Sequence, residues 1–175
     1  MAKRRRPAAD DNPVFNRIDK LGRRMLAFTR DLCAIDTTNP PGRNYTECVG
    51  FLRDKLDAIG LSTRVVTVPA DELAELVPDA GDYPRPSVIA RWDVGAERTI
   101  HLTGHYDVVP ETGNWRTDPF DPVVKGKRLY ARGSSDMKGC DAAGIFAVQA
   151  MIEAGVTPPW NVELSFTPDE ETGGA

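Results

Sequence analysis

One histidine and four acidic residues gather in three short stretches of this sequence. "GHYDVVP" holds His105 and Asp107, "ARGSSDMKG" holds Asp136 between glycines, and "SFTPDEETGG" places Glu170 and Glu171 after a strand-like run. Imidazole nitrogens and carboxylate oxygens are zinc ligands, and a carboxylate near a histidine can orient its ring or accept a proton. Taken together, a His, a lone Asp and a Glu pair are the ligand set expected for a hydrolytic site with two zinc ions.

Each stretch also has a structural interpretation that stays open at this point. His105 and Asp107 can form a turn with a polar cap, Asp136 can be a helix N-cap, and the glutamates can form a solvated acidic loop. His101 would lie about 13 Å from His105 along a regular strand, so we interpret it as a hydrogen-bonded core residue. Neither the GxxxxGK[ST] pattern of a phosphate-binding loop nor the GxSxG pattern of a serine nucleophile occurs in "ARGSSDMKG".

Apolar spacing predicts the elements that position these residues. It predicts helices over 15–35, 45–59 and 137–154, the last with a buried Cys140. Strands are predicted at "STRVVTVP", "SVIARW", "RTIHLTG" and "NVELSF", with a hairpin-like connection between the second and third and a short hairpin at "KGKRLYARG". This order predicts an α/β fold, namely a three-layer α/β/α sandwich with a mixed, largely parallel sheet.

Composition limits the class of protein. A chain of 175 residues with 41% hydrophobic and 27% charged residues fits one globular domain. Its net charge of −4 argues against a nucleic-acid partner, and no run of about 20 apolar residues suggests a membrane span. Three separated cysteines favour a cytoplasmic location. The basic start "MAKRRRP" lacks the apolar segment of a signal peptide, and residues 1–14 are predicted to be a disordered tail.

The motifs, taken in order, resemble the M20 family of metallopeptidases and deacylases. The resemblance rests on "GHYDVVP", "NWRTDPFDP", "LYARGSSDMKG" and "SFTPDEETGG", preceded by "AIDTTNPPG". The family includes acetylornithine deacetylase, succinyl-diaminopimelate desuccinylase, aminoacylase-1 and the glutamate carboxypeptidases. The resemblance implies that residues 15–175 form the N-terminal part of a catalytic domain, truncated and without the family's lid and dimerisation domain.

The resemblance also implies a role for each candidate residue. His105 and Glu171 would bind different zinc ions and Asp136 would bridge them, while Asp107 orients His105 and Glu170 acts as general base. The implied reaction is hydrolysis of an amide in an N-acyl amino acid or small peptide by metal-activated water, with cobalt or manganese as alternatives to zinc.

The family has five metal ligands, and three of them match this sequence. We therefore expect the chain alone to bind zinc weakly and to be inactive. The alternative function is a non-catalytic fragment that binds metal or associates with itself. The expected partners are a small substrate and either a second copy, through an exposed sheet edge, or a missing C-terminal half.

Overall fold

A computed structural model describes residues 12–77 and 81–174 of the chain. The helices are α1 (Pro13–Ala34), α2 (Tyr45–Ala58), α3 (Ala70–Leu76) and α4 (Lys138–Glu153). The strands are β1 (Ser62–Thr67), β2 (Pro86–Trp92), β3 (Thr99–His105), β4 (Val123–Lys125), β5 (Arg128–Tyr130) and β6 (Asn161–Thr167), and a short 3-10 turn (Glu170–Thr172) follows. No helix in these two segments combines the length and apolar character that crossing a membrane requires.

The first helix begins two residues before its predicted start. Asn12 caps it, because the side-chain oxygen of Asn12 accepts hydrogen bonds from the backbone N–H groups of Val14, at 2.9 Å, and Phe15, at 3.4 Å. Pro13 occupies the first helical position, where its missing N–H costs nothing. Two residues of the predicted tail are therefore helical, and residues 1–11 of that tail lie outside the described residues.

The larger sheet has the strand order β1-β2-β6-β3. The pairs β1–β2 and β2–β6 are antiparallel, and the pair β6–β3 is parallel. The mixed α/β architecture is confirmed, but the expectation of a largely parallel sheet is wrong for these strands. The single parallel pair is the one whose connection contains the long helix α4, in keeping with the long crossover that parallel strands need. β2 and β3 do not form the predicted hairpin, because β6 lies between them.

One face of this sheet carries the hydrophobic core. Its buried residues on β2 and β6 are Val88, Ala90, Val162, Leu164 and Phe166, and they pack against α1, α2 and α4. The other face is polar, with Arg91 paired to Glu163 and with His101 bonded to Ser165 at 2.8 Å. His101 is thus hydrogen-bonded as predicted, but it is exposed instead of lying in the core. Within the described residues, the three long helices cover one face, which gives two of the three expected layers.

α4 corrects two further expectations. Its N-cap is Met137, so the interpretation of Asp136 as the helix cap is wrong. The buried face of α4 includes Lys138, Asp141, Ala142, Ile145 and Phe146. Cys140 is exposed and not buried, because neighbouring helical residues are about 100° apart and it lies on the other side.

Candidate metal centre

His105 ends β3 at the edge of the sheet where β6 also ends. Parallel pairing places His105 opposite Thr167, so the residues that follow the two strands emerge side by side. The buried His105 ring has Nδ1 3.1 Å from the backbone oxygen of Asp107 and 3.3 Å from its Oδ1. Nε2 lies 3.2 Å from Oδ1 of Asp136 and 3.8 Å from Oε2 of Glu170. Nδ1 is therefore held by Asp107, and Nε2 faces the carboxylates of Asp136 and Glu170.

Three predicted ligands converge at this edge. His105, Asp136 and Glu171 each offer a donor atom, and these atoms lie within 4.8 Å of one another. Ligand atoms at about 2.0–2.2 Å from a zinc ion are about 3.5 Å apart in tetrahedral geometry, so small side-chain movements would bring these donors to separations found in a zinc site. The side chain of Asp136 is 76% exposed. The donor types and their separation therefore fit a divalent metal that is open to solvent on one side.

Asp107 ties the end of β3 to the glutamate-bearing turn. Its side chain is fully buried. Oδ1 accepts the backbone N–H of Glu170 at 3.3 Å, and Oδ2 accepts that of Glu171 at 3.1 Å. Hydrogen bonds to an ionised carboxylate are stronger than neutral ones. One buried carboxylate therefore positions the imidazole and both glutamates.

The charges in this cluster shift two pKa values. The hydrogen bond with Asp107 raises the pKa of His105 to about 9, against the opposing effect of burial. Burial raises the pKa of Glu171, and the neighbouring Asp136 carboxylate raises it further. A protonated imidazole cannot bind a metal, so a cation must displace a proton from His105. A divalent cation among these groups would lower both pKa values, because it favours their deprotonated forms.

Asp169 is a site residue that the sequence analysis did not assign. It immediately precedes Glu170, it is buried, and its φ of 65° lies in the left-handed region. Its Oδ1 accepts hydrogen bonds from Asn39 at 2.8 Å and from the Tyr45 hydroxyl at 3.0 Å, and its Oδ2 accepts one from Arg85. This buried ion pair fixes the start of the glutamate-bearing turn. The sequence feature that could have indicated Asp169 is its hydrogen-bond partner Asn39, which lies within "AIDTTNPPG". The candidate zinc ligands predicted from the sequence did not include Asn39.

Lys138 fastens the segment that carries Asp136. Its side chain is fully buried, and its Nζ donates to the backbone oxygens of Leu32, at 3.2 Å, and Ile35, at 2.7 Å. These carbonyls lie at the end of α1, where helices leave backbone acceptors unpaired. The candidate ligand Asp136, two residues earlier, is thereby attached to the C-terminus of α1.

Asp141 is a second buried aspartate, and it lies behind His105. Neither of its side-chain oxygens has a hydrogen-bond partner among the described residues. A Cβ atom added at Gly104 would overlap Oδ1 of Asp141, so glycine is needed immediately before His105. Burial raises the pKa of Asp141 to about 8, although His105 and Lys138 lower it. Burial therefore favours the neutral form of Asp141, which packs directly against Gly104.

Known proteins are similar to this chain in sequence and in fold. Residues 101–175 match the family described as peptidase family M20/M25/M40. The chain is 36% identical over 126 residues to the succinyl-diaminopimelate desuccinylase of Verminephrobacter eiseniae. This alignment covers 70% of this chain and 29% of that protein. The chain is also 29% identical over 152 residues to an uncharacterized metallohydrolase of Methanocaldococcus jannaschii, with 85% of this chain and 37% of that protein covered.

A solved structure supports the same assignment. The fold matches human carnosine dipeptidase 1 with a TM-score of 0.73 and 27% identity, over 91% of this chain and 35% of that one. The chain spans about a third of the length of the curated relatives that it matches. The ordered motifs, the mixed sheet and these matches lead to one conclusion: residues 101–175 belong to peptidase family M20/M25/M40.

Proposed function

We propose that this chain forms the N-terminal, metal-binding part of a zinc-dependent hydrolase that cleaves amide bonds. The observation that carries the proposal is the convergence of His105, Asp136 and Glu171 at one edge of the sheet. Family membership supports it, since relatives of the chain include a desuccinylase and a dipeptidase. The proposed substrates are N-acyl amino acids or small peptides.

The candidate ligands would hold two ions between them. We assign His105 to one ion and Glu171 to the other. Asp136 has one oxygen 3.2 Å from Nε2 of His105, and because its carboxylate has a second oxygen, it would be able to contribute a ligand to both ions. When bound, such a pair activates water and polarises the amide carbonyl.

Glu170 is the proposed general base. Its side chain is 64% exposed, and its Oε2 lies 3.8 Å from Nε2 of His105, so its carboxylate borders the ligand cluster on the solvent side. From there it can accept a proton from the attacking water and deliver it to the leaving amine. Asp107 holds the backbone N–H of Glu170 and orients His105, and it thus acts as a positioning residue.

The alternative, a non-catalytic metal-binding or self-associating fragment, rests on the number of donors. Catalytic zinc ordinarily has three protein ligands and a water, and three donors shared by two ions fall short of that number. We therefore expect weak zinc binding and little activity from this chain alone. The outer edge of β3, where Ile100 and Leu102 are exposed, is the proposed site of pairing with a complementing chain or a second copy. We also propose a cytoplasmic location, which the three free cysteines support.

Calorimetric titration with Zn²⁺ tests the metal centre. We expect His105→Ala and Glu171→Gln to weaken zinc binding at least tenfold, and Asp107→Asn to weaken it by about 10–100-fold. Glu97→Gln is the matched control, because Glu97 is exposed and precedes β3 at its other end. Equal zinc affinity in the parent chain and in His105→Ala would refute the assignment.

Amine release from N-acetylornithine and N-succinyl-diaminopimelate tests the reaction. The chain is assayed alone and mixed with a separately supplied chain that covers the desuccinylase relative beyond the 29% that this chain matches. We expect activity on mixing, and we expect Glu170→Gln to lower kcat at least 100-fold while zinc binding persists. Zinc binding without hydrolysis in either assay would favour the non-catalytic alternative.

A further inference from the structure

The loop after β3 and the hairpin formed by β4 and β5 enclose a cleft that the metal centre does not use. The cleft has a volume of about 410 Å³. Two aromatic side chains, Trp115 and Tyr130, and two cationic ones, Arg116 and Lys125, line it. The other lining residues are a threonine pair and an asparagine, so no acidic group lines the cleft. A concave surface with apolar walls and a few directed polar groups is typical of a small-molecule site.

Positive charge is concentrated on one face of the hairpin. The register pairs Val123 with Tyr130 and Lys125 with Arg128, so these four side chains share a face. Like charges directly opposite each other across two strands destabilise the pairing. Arg116, Lys125 and Arg128 take part in none of the ion pairs found within residues 12–77 and 81–174. An anion bound in the cleft would relieve this repulsion.

Trp115 is held as a fixed wall of the cleft. The guanidinium of Arg132 lies 5.3 Å from the centre of the Trp115 ring. The same arginine donates from its side chain to the backbone oxygen of Pro110 at 3.2 Å and from its backbone N–H to that of Pro119 at 2.8 Å. Both ends of the loop are thus fastened to one residue, while Trp115 remains 36% exposed. A fixed aromatic surface offers contact area with little loss of conformational freedom.

We propose that this cleft binds a carboxylate carried on an apolar body. Arg116 and Lys125 would pair with the carboxylate, and Trp115 and Tyr130 would contact the apolar part. The carboxylate can come from one end of an amide substrate or from a separate small acid. The site stands on its own residues and does not depend on the proposed hydrolase activity.

Tryptophan indole N–H signals test the cleft directly. The chain contains three tryptophans, and Trp115→Phe assigns the relevant signal in a ¹⁵N spectrum. We expect 3-phenylpropionate to shift the Trp115 signal and its uncharged analogue 3-phenylpropanamide to leave it unchanged. Arg116→Gln combined with Lys125→Gln should weaken binding of the acid at least tenfold. Lys127→Gln, an exposed neighbour on the same hairpin, should not weaken it.

Two outcomes would overturn the proposal: equal shifts with the acid and the amide, or unchanged affinity in the double variant. A second titration separates the sources of the carboxylate. If it belongs to the substrate, zinc will tighten the binding of N-acetylphenylalanine, while 3-phenylpropionate binds equally with and without zinc. If it belongs to a separate acid, zinc will affect neither ligand. Both results support the proposal that the cleft binds a carboxylate. Glu171→Gln should leave 3-phenylpropionate binding intact, so failure of the metal centre is distinguishable from failure of the cleft.

Discussion

Asp169 and Asp141 are equally buried, each 3% exposed, yet their surroundings are opposite. Asp169 accepts hydrogen bonds from Arg85, Asn39 and Tyr45, whereas both oxygens of Asp141 lack a partner among the described residues. The first therefore anchors the glutamate-bearing turn through its ion pair with Arg85, whereas burial favours the neutral form of the second, beneath β3. Burial alone does not decide the charge of a carboxyl group; the number of donors around it does.

Removal of the cation beside Asp169 should have the largest effect. Arg85→Met leaves a buried carboxylate without its charge partner, and we expect the free energy of unfolding to fall by about 3–5 kcal/mol. Urea denaturation followed by circular dichroism measures the change. Arg91→Met is the control, because its partners are Asp93 and Glu163 at the surface and its loss should cost at most about 1 kcal/mol. Similar losses in both variants would mean that Asp169 is not an anchor.

The raised pKa of Asp141 should make the free energy of unfolding depend on pH. The folded protein holds this proton up to about pH 8, whereas the unfolded chain releases it near its ordinary pKa of 3.8. The folded state thus binds more protons, so this group's contribution to stability is lost as pH rises from about 4 to 8. Between pH 5 and pH 8 we expect the parent to lose about 2–4 kcal/mol relative to Asp141→Asn. A difference that does not change with pH would show that Asp141 is charged throughout.

The contact between Gly104 and Asp141 can be tested by a double-mutant cycle. Gly104→Ala should destabilise the chain by about 1–3 kcal/mol, because the new methyl group meets the Asp141 carboxyl. In an Asp141→Ala background the same change should cost at least about 1 kcal/mol less. Gly50→Ala in α2 is the control, since its methyl group meets no atom within 4 Å. Additive effects of the two substitutions would exclude a direct contact.

The smallest effect should come from Thr172, at the exposed edge of the contacts around Asp169. Thr172 accepts a hydrogen bond from Asn39 at 2.9 Å, but its side chain is exposed. Thr172→Val should therefore lower the free energy of unfolding by only about 0.5 kcal/mol and leave zinc affinity unchanged. Urea denaturation and zinc titration check both values. A loss comparable to that of Arg85→Met would place the main function of Asn39 at Thr172 instead of Asp169.

Periodicity in the sequence predicted the helices and strands well, because local spacing reflects which face of an element is buried. It did not predict pairing. β6 lies between β2 and β3, although it follows them by more than fifty residues, and nothing in the local pattern of β2 indicates that neighbour. The hairpin-like connection and the largely parallel sheet were both wrong for this reason.

The candidate ligands were predictable, whereas their supports were not. His105, Asp136 and Glu171 occur in short motifs at strand ends and turns, so residue type and position already indicate their chemistry. The partners of Asp169 lie 84 and 130 residues away in Arg85 and Asn39, and only the fold brings them together. Residue spacing can thus indicate the groups that face a ligand more readily than the buried contacts that hold them.

The two hydrogen bonds from the glutamate-bearing turn to Asp107 have a consequence for hydrogen exchange. The side chain of Glu170 is mostly exposed, and an exposed turn would ordinarily exchange its amide hydrogens quickly. Here the amide hydrogens of Glu170 and Glu171 point at a fully buried carboxylate. Deuterium can replace them only when the contact with the end of β3 opens, so they should exchange at the slow rate of core strands. Glu170 would thus combine a solvent-exposed carboxylate with a backbone amide that solvent reaches rarely.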